Sequence, residues 1–288
     1  MIEAMSMVNA TAFDRLMLIL VGRQKAGKSR MAATARKPVF FMDHDKRWQS
    51  LAGLPGVFVL TFNDSMKPGI QPTSYNDQLT VLTDLESGMT LAKMGEKYGK
   101  KDWPDIRPKT LVMDSMTSLS KAIMDYNLYA NPGLRREIVI ANMKLFFPGG
   151  WDAWNADVSS AYNIVMRLVA MKDMDLILNF HESDEKGAGS TSENPVYTGK
   201  KDLFPDRYRV FNTYFSEIWR VSREQGQLVP TVQVSPDFRF TASSNLNFSK
   251  LKPTDIVPDI SAMIAKVVGQ QAIPPWPPFI KKEESVEK

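Results

Sequence analysis

Gly22-Arg23-Gln24-Lys25-Ala26-Gly27-Lys28-Ser29 fits the pattern G-x-x-x-x-G-K-[ST] at every fixed position. Glycine lets the backbone curl so that successive N–H groups point inward, a concavity that binds phosphate oxygens. A helix beginning at the end of such a loop adds a dipole that favours an anion. In this pattern the lysine, here Lys28, reaches the β- and γ-phosphates of a nucleoside triphosphate, and the hydroxyl of Ser29 ligates Mg²⁺. Gly22 to Ser29, with Arg30 just beyond, is the candidate nucleotide-binding set, and ATP with Mg²⁺ is the expected ligand pair.

Hydrolysis needs more than a cradle. A second metal-holding group is expected from Asp114, which ends the apolar run Thr110-Leu111-Val112-Met113. A carboxylate there can hold the ion beside Ser29; the competing reading is a cap on the next helix, a role that suits Ser115 better. Orienting the attacking water falls to Asp43 or Asp45, just past the run Pro38 to Met42, with His44 as a neighbour rather than an actor. Asn179 and His181 end another apolar run, Asp175 to Phe180. An amide or imidazole at such a strand end can sense the γ-phosphate and pass its state to the adjoining loop.

These groups need elements to carry them. Leu16 to Val21 reads as a buried strand into the phosphate loop, and Ser29 to Ala35 as a helix out of it. Strands are expected at Pro38–Met42, Gly56–Phe62, Thr110–Ser115 and Asp175–Phe180. Helices are expected at Ser74–Glu86, Met116–Tyr129, Leu134–Leu145 and Ala153–Met171. Residues Gly95 to Lys109 read as a surface excursion, and Phe146 to Trp151 as a break. Residues Glu182 to Asp206 lack periodicity and read as a long loop. Phe215–Val221, Leu228–Val234 and Phe238–Thr241 read as antiparallel strands, and Pro258–Val268 as a short helix. The alternation predicts an α/β fold: a mostly parallel sheet flanked by helices, with an antiparallel C-terminal extension. The expected organisation is a lead over residues 1–14, one domain over 15–250, and a short helix with a proline-rich, charged tail over 251–288. That tail, around Trp276 and Phe279, reads either as a flexible end or as an extended segment that docks in a partner's groove.

Bulk composition bounds the rest. The 288 residues are 43% apolar, enough for a substantial core. With no cysteine and only His44 and His181, thiolate and histidine-rich metal centres are excluded. No apolar run approaches the ~20 residues of a membrane span, and the first residues lack the features of a secretory signal, so a cytoplasmic location is expected. The formal net charge of +4 permits a polyanion partner without demanding one.

The phosphate loop, the strand end Val112-Met113-Asp114-Ser115 and the strand Asn179-Phe180-His181-Glu182 together resemble a RecA-like P-loop ATPase core. More narrowly, the chain resembles phage-encoded RecA-like ATPases of the AAA-24 type, including Sak-type single-strand annealing recombinases. Lys109 to Ser115, Trp151-Asp152-Ala153-Trp154-Asn155 and Phe215 to Val221 are similar to segments of that family, and the resemblance covers roughly residues 15 to 245. It implies a Mg²⁺-dependent ATPase that binds single-stranded DNA in recombination or annealing. It also implies a homo-oligomer in the cytoplasm of a phage-infected bacterium, with a single-strand-binding protein as a candidate partner. The stretch Glu182 to Asp206 then corresponds to a DNA-facing loop, with Lys186, Lys200, Lys201, Arg207 and Arg209 as candidate phosphate contacts. Among these, Lys200, Lys201, Arg207 and Arg209 are alternatively fingers that reach a neighbour's nucleotide. Tyr197, Phe146, Phe147, Trp151 and Trp154 are either stacking faces for bases or core. Two departures stand out: RecA proper has a glutamate where this chain offers Asp43 or Asp45, and no counterpart of RecA's additional terminal domains is expected. A helicase or packaging motor, a small-molecule kinase, and a nucleotide-gated scaffold with little hydrolysis remain alternatives.

Overall fold

A computed structural model of the chain describes residues 15–64, 70–140, 143–185, 196–201, 211, 213–223, 227–234, 243–244 and 256–268. The element order is β1 (Met17–Gly22), α1 (Lys28–Ala32), β2 (Val39–Asp43), β3 (Val57–Thr61), α2 (Ser74–Glu86), α3 (Leu91–Lys97), β4 (Thr110–Asp114) and α4 (Met116–Ala130). It continues with β5 (Arg135–Ile140), β6 (Met143–Pro148), α5 (Trp151–Ala170), β7 (Asp175–Glu185), β8 (Val196–Lys201), β9 (Glu217–Ser222), β10 (Thr231–Gln233), β11 (Ser243–Ser244) and α6 (Ile260–Val268).

The main sheet runs β10-β9-β1-β7-β4-β2-β3, with β11 added to β9 and β8 to β7. Strands β9, β1, β7, β4, β2 and β3 pair in parallel, while β10 and β11 run antiparallel to β9. Strands buried on both faces read as unbroken apolar runs, as β1, β2 and β4 do. The expected fold class therefore holds: an α/β core with an antiparallel extension.

Alternate residues of each strand serve two cores. Ile19, Val21, Phe40, Met113 and Phe180 pack under α2, α3, α4 and α5. Leu18, Leu20, Phe41, Val112 and Ile177 pack under α1 and α6. α6 is fastened to the end of α1, where Ile260 N–H donates to Thr34 Oγ1 (2.8 Å) and Ser261 Oγ to Thr34 O (2.6 Å).

Four expectations need correction. Leu134–Leu145 is not a helix: β5 and β6 pair antiparallel, Arg136 opposite Phe147 and Ile138 opposite Leu145. The β-branched run Ile138-Val139-Ile140 and the aromatics Phe146-Phe147 favour a pleated ribbon over helix. The strand Asp175–Phe180 continues to Glu185 and pairs with β8, so part of the expected loop is strand. β9 is parallel to β1 rather than wholly antiparallel. The surface excursion also begins inside a helix, since α3 runs through Gly95 to Lys97. Residues 1–14, Phe238–Thr241 and the proline-rich tail beyond Val268 lie outside the described residues.

The β5–β6 ribbon stands past the carboxyl edge of the sheet. Arg15 caps the last turn of α5, donating to Val169 O (2.8 Å) and Leu168 O (2.9 Å), which places that end at the amino edge beside the start of β7. Twenty helical residues rise about 30 Å from there, whereas a six-residue strand rises about 20 Å. The start of α5, and the ribbon joined to it, therefore overshoot the five- and six-residue strands β1, β2 and β4 on the side where the phosphate loop lies, the side along which the eleven-residue β7 also extends. Among described residues no helix is long and apolar enough to cross a membrane.

Candidate nucleotide site at the carboxyl edge

The phosphate loop connects β1 to α1 between two neighbouring strands, β7 and β9. Its first glycine is required sterically: a Cβ on Gly22 would lie 2.0 Å from the carbonyl oxygen of Val221 on β9. Gly27 caps α1 with φ of 103°, a left-handed conformation that glycine adopts freely, and Pro230 lies against it. Arg23, Gln24 and Lys25 are exposed on the loop, Ala26 is buried beneath it, and Arg30 is exposed on α1. Lys28 is buried, and its Nζ donates to Gly22 O (2.7 Å) and Arg23 O (2.8 Å). Burial lowers its amine to about 8, against the opposing pull of Asp114, Asp45 and Glu182.

Sheet order brings three polar strand ends into one row. Asp43 of β2 pairs with Asp114 of β4, and Asp114 with Asn179 of β7. Their parity matches Phe41, Val112 and Ile177, so all three face the side covered by α1. Asn179 Nδ2 donates to Asp114 Oδ1 at 2.9 Å. Burial raises the Asp114 carboxyl, while hydrogen bonds from Ser29 and Asn179 oppose the rise. Burial and then the charge of Asp114 push Asp43 up to about 6. Its hydrogen bonds from Thr61 Oγ1 (3.3 Å) and Arg47 N–H (3.5 Å) are long, and the backbone of Lys46 also donates to it.

Above this row sits a second pair. Asp45 Oδ2 lies 2.8 Å from His181 Nε2, and its Oδ1 accepts from Ser115 Oγ (2.9 Å) and Ser118 Oγ (2.5 Å). Burial works against the ionised form, but the hydrogen bonds from His181 and Ser118 win and hold Asp45 well below the usual carboxylate range. Ser115 also caps α4 by accepting from Ser118 N–H, so the capping role falls to Ser115 and leaves Asp114 for other work. His181 N–H donates to Thr117 Oγ1 (3.0 Å), which fixes the strand end against α4. His44 turns away: it stacks on Phe62 at 4.6 Å and bonds Gln78 Oε1 at 2.8 Å, and burial lowers it to about 4.

The described residues contain no cluster of three His, Cys, Asp or Glu able to hold a metal unaided. Mg²⁺ usually takes one or two carboxylates and completes its shell with water and substrate phosphates. Ser29 hydrogen-bonded to Asp114, with the buried Asn179 Oδ1 lacking a partner among described residues, fits that demand.

Sequence reasoning missed Glu182 as a site neighbour, reading it only as an acid of a loop. Its side chain is fully buried, and Arg220 of β9 donates to its Oε1 at 2.7 Å, bridging the strands on either side of β1. The signal was parity: Glu182 follows Leu178 and Phe180, both core residues of the same strand. The proposed DNA contacts Lys186, Arg207 and Arg209 lie outside the described residues, and Lys200 and Lys201 are placed in β8 by their backbone alone. Of the candidate stacking residues, Phe146 and Trp154 pack against Met124, Leu128 and Ala153, whereas Phe147 (39% exposed) and Trp151 (62%) face outward.

The family model AAA_24, described as an AAA domain, matches residues 14–242. Among solved structures the chain is similar to the RadB recombinase, at 12% identity and a TM-score of 0.37, covering 77% of this chain and 82% of that one. It is also similar to the KaiC-like protein PH0186 from the hyperthermophilic archaeon Pyrococcus horikoshii OT3, at 11% identity and a TM-score of 0.38, covering 80% and 82% respectively. No curated protein matches it significantly in sequence.

Proposed function

Because the chain belongs to the AAA domain family AAA_24, we propose that it is a Mg²⁺-dependent ATPase whose cycle is linked to single-stranded DNA, working as a homo-oligomer in annealing or recombination of the Sak type. The observation that carries the ATPase reading is the convergence of Lys28, Ser29, Asp114 and the Asp45–His181 pair at one strand edge. On nucleotide entry Lys28 exchanges the carbonyls of Gly22 and Arg23 for phosphate oxygens and stabilises charge there. Ser29 and Asp114 would hold Mg²⁺, which when bound would neutralise the phosphates and polarise the scissile bond.

Orienting the water falls to His181 or Asp43. Asp45 is committed to three donors, so it acts through His181, whose second ring nitrogen is left to meet a water. Asp43 accepts long hydrogen bonds from Thr61 and Arg47 and has a carboxyl near pH 6, suited to accept a proton. His181 continues directly into Glu182 and the β7–β8 extension, so a change at the γ-phosphate has a covalent path outward.

The DNA link is supported by the β5–β6 ribbon past the nucleotide edge. It presents Arg136 opposite Phe147, with Trp151 close by, a cation and aromatic faces of the kind that bind unpaired bases. The test is ATP hydrolysis with Mg²⁺, with and without single-stranded DNA, beside Lys28→Ala. Turnover that rises with DNA and disappears in the variant supports the proposal. No DNA binding at low salt, with turnover unaffected by DNA, rejects the DNA link. Equal turnover in the Lys28→Ala protein rejects the site.

A further inference from the structure

Resting on the nucleotide-site reading above, we propose that Asn179 is a positioning residue for Asp114: its amide fixes the Asp114 carboxylate toward Ser29, and its carbonyl receives a water of the metal shell. An amide in the middle of a buried parallel strand is expensive unless both of its ends are satisfied. Asn179 interrupts Leu176-Ile177-Leu178 and Phe180, is fully buried, and lies in register between Asp114 and Leu20.

Among described residues only one end finds a partner. Nδ2 donates to Asp114 Oδ1 at 2.9 Å, whereas Oδ1 is buried with no partner among described residues. The orientation follows from chemistry, since an ionised carboxylate only accepts and must be faced by the NH₂ group. With Oδ1 of Asp114 held in this way, the carboxylate, which also accepts from Ser29, cannot rotate freely. The buried Asn179 carbonyl then needs a donor that no described residue supplies, and a hydrated cation held by Asp114 would bring one. Groups that hold a metal ligand in place are commonly worth 10- to 100-fold in metal affinity.

The experiment measures binding of a fluorescent ATP analogue to the full chain across a Mg²⁺ series and in EDTA, for wild type, Asn179→Leu, Asp114→Asn and the double variant. The wild type should bind more tightly as Mg²⁺ rises. Asn179→Leu should need about 10- to 100-fold more Mg²⁺ for the same tightening, with its affinity in EDTA unchanged. In the Asp114→Asn background the leucine should add less than about twofold, because the pathway through Asp114 is already cut.

A merely structural asparagine would weaken binding equally with and without Mg²⁺, and that result overturns the proposal. So does an unchanged Mg²⁺ requirement in Asn179→Leu, or effects of the two substitutions that multiply. Failure of the wild type to bind the analogue at all overturns the site reading and this inference with it. If Asn179→Leu does not fold, Asn179→Ala, which leaves room for a water, replaces it with the same direction expected.

Discussion

Replacing Asp43 with asparagine should stabilise the protein at neutral pH and leave it nearly unchanged near pH 4. The Asp43 carboxyl is 2% exposed, and burial with the Asp114 charge pushes it up to about 6. In the unfolded chain it would titrate near its ordinary value of about 4. Between those two values the native state keeps a proton that the unfolded state has released. Stability therefore falls as pH rises through that window and stays low above it. A shift of about two units at ~1.4 kcal/mol each amounts to about 3 kcal/mol. Asparagine has a similar shape, cannot ionise, and places a possible donor toward Asp114. In metal-free buffer with EDTA and no nucleotide, urea unfolding followed by tryptophan fluorescence should find the two proteins within about 1 kcal/mol at pH 4.2. At pH 7.5 the variant should be ahead by about 2–3 kcal/mol. Other groups titrate in both proteins, so the difference between them is the readout. Parallel stability-versus-pH curves for the two would refute the reasoning, because they would mean that Asp43 carries no proton into the native state.

Two further outcomes follow from the site. Gly22→Ala sets a methyl 2.0 Å from a backbone carbonyl that cannot swing aside; it should cost about 3 kcal/mol or more through displaced β1–β9 pairing, seen as a lowered urea midpoint, and an unchanged midpoint would show the strands are free to part. His181→Ala should cut kcat about 100-fold or more with little change in nucleotide affinity, and a fall in affinity at constant kcat would make the imidazole a binding group instead.

Local pattern made the phosphate loop readable, because the turn, the lysine and the hydroxyl all act within a few residues of one another. The place of Asp114 at the end of an apolar strand was readable too, from the run Thr110 to Met113 alone. The β5–β6 ribbon was misread because a short run such as Ile138-Val139-Ile140 satisfies helix and strand spacing alike until its partner, Met143 to Pro148, is paired with it. Glu182 looked like a loop acid because its burial depends on Arg220, nearly forty residues away along the chain.

The sequence by itself determined which groups are on offer: a phosphate-loop motif with its lysine and serine, carboxylates at Asp43, Asp45 and Asp114, and the strand-end pair Asn179 and His181. Only the tertiary structure decided which of them meet. Placing β7 on one side of β4 and β2 on the other is what sets Asn179 and Asp43 on either side of Asp114, with His181 over Asp45. Strand order is chosen by how helices cover the two faces of the sheet, a property of the whole packed core. No short stretch of residues contains it.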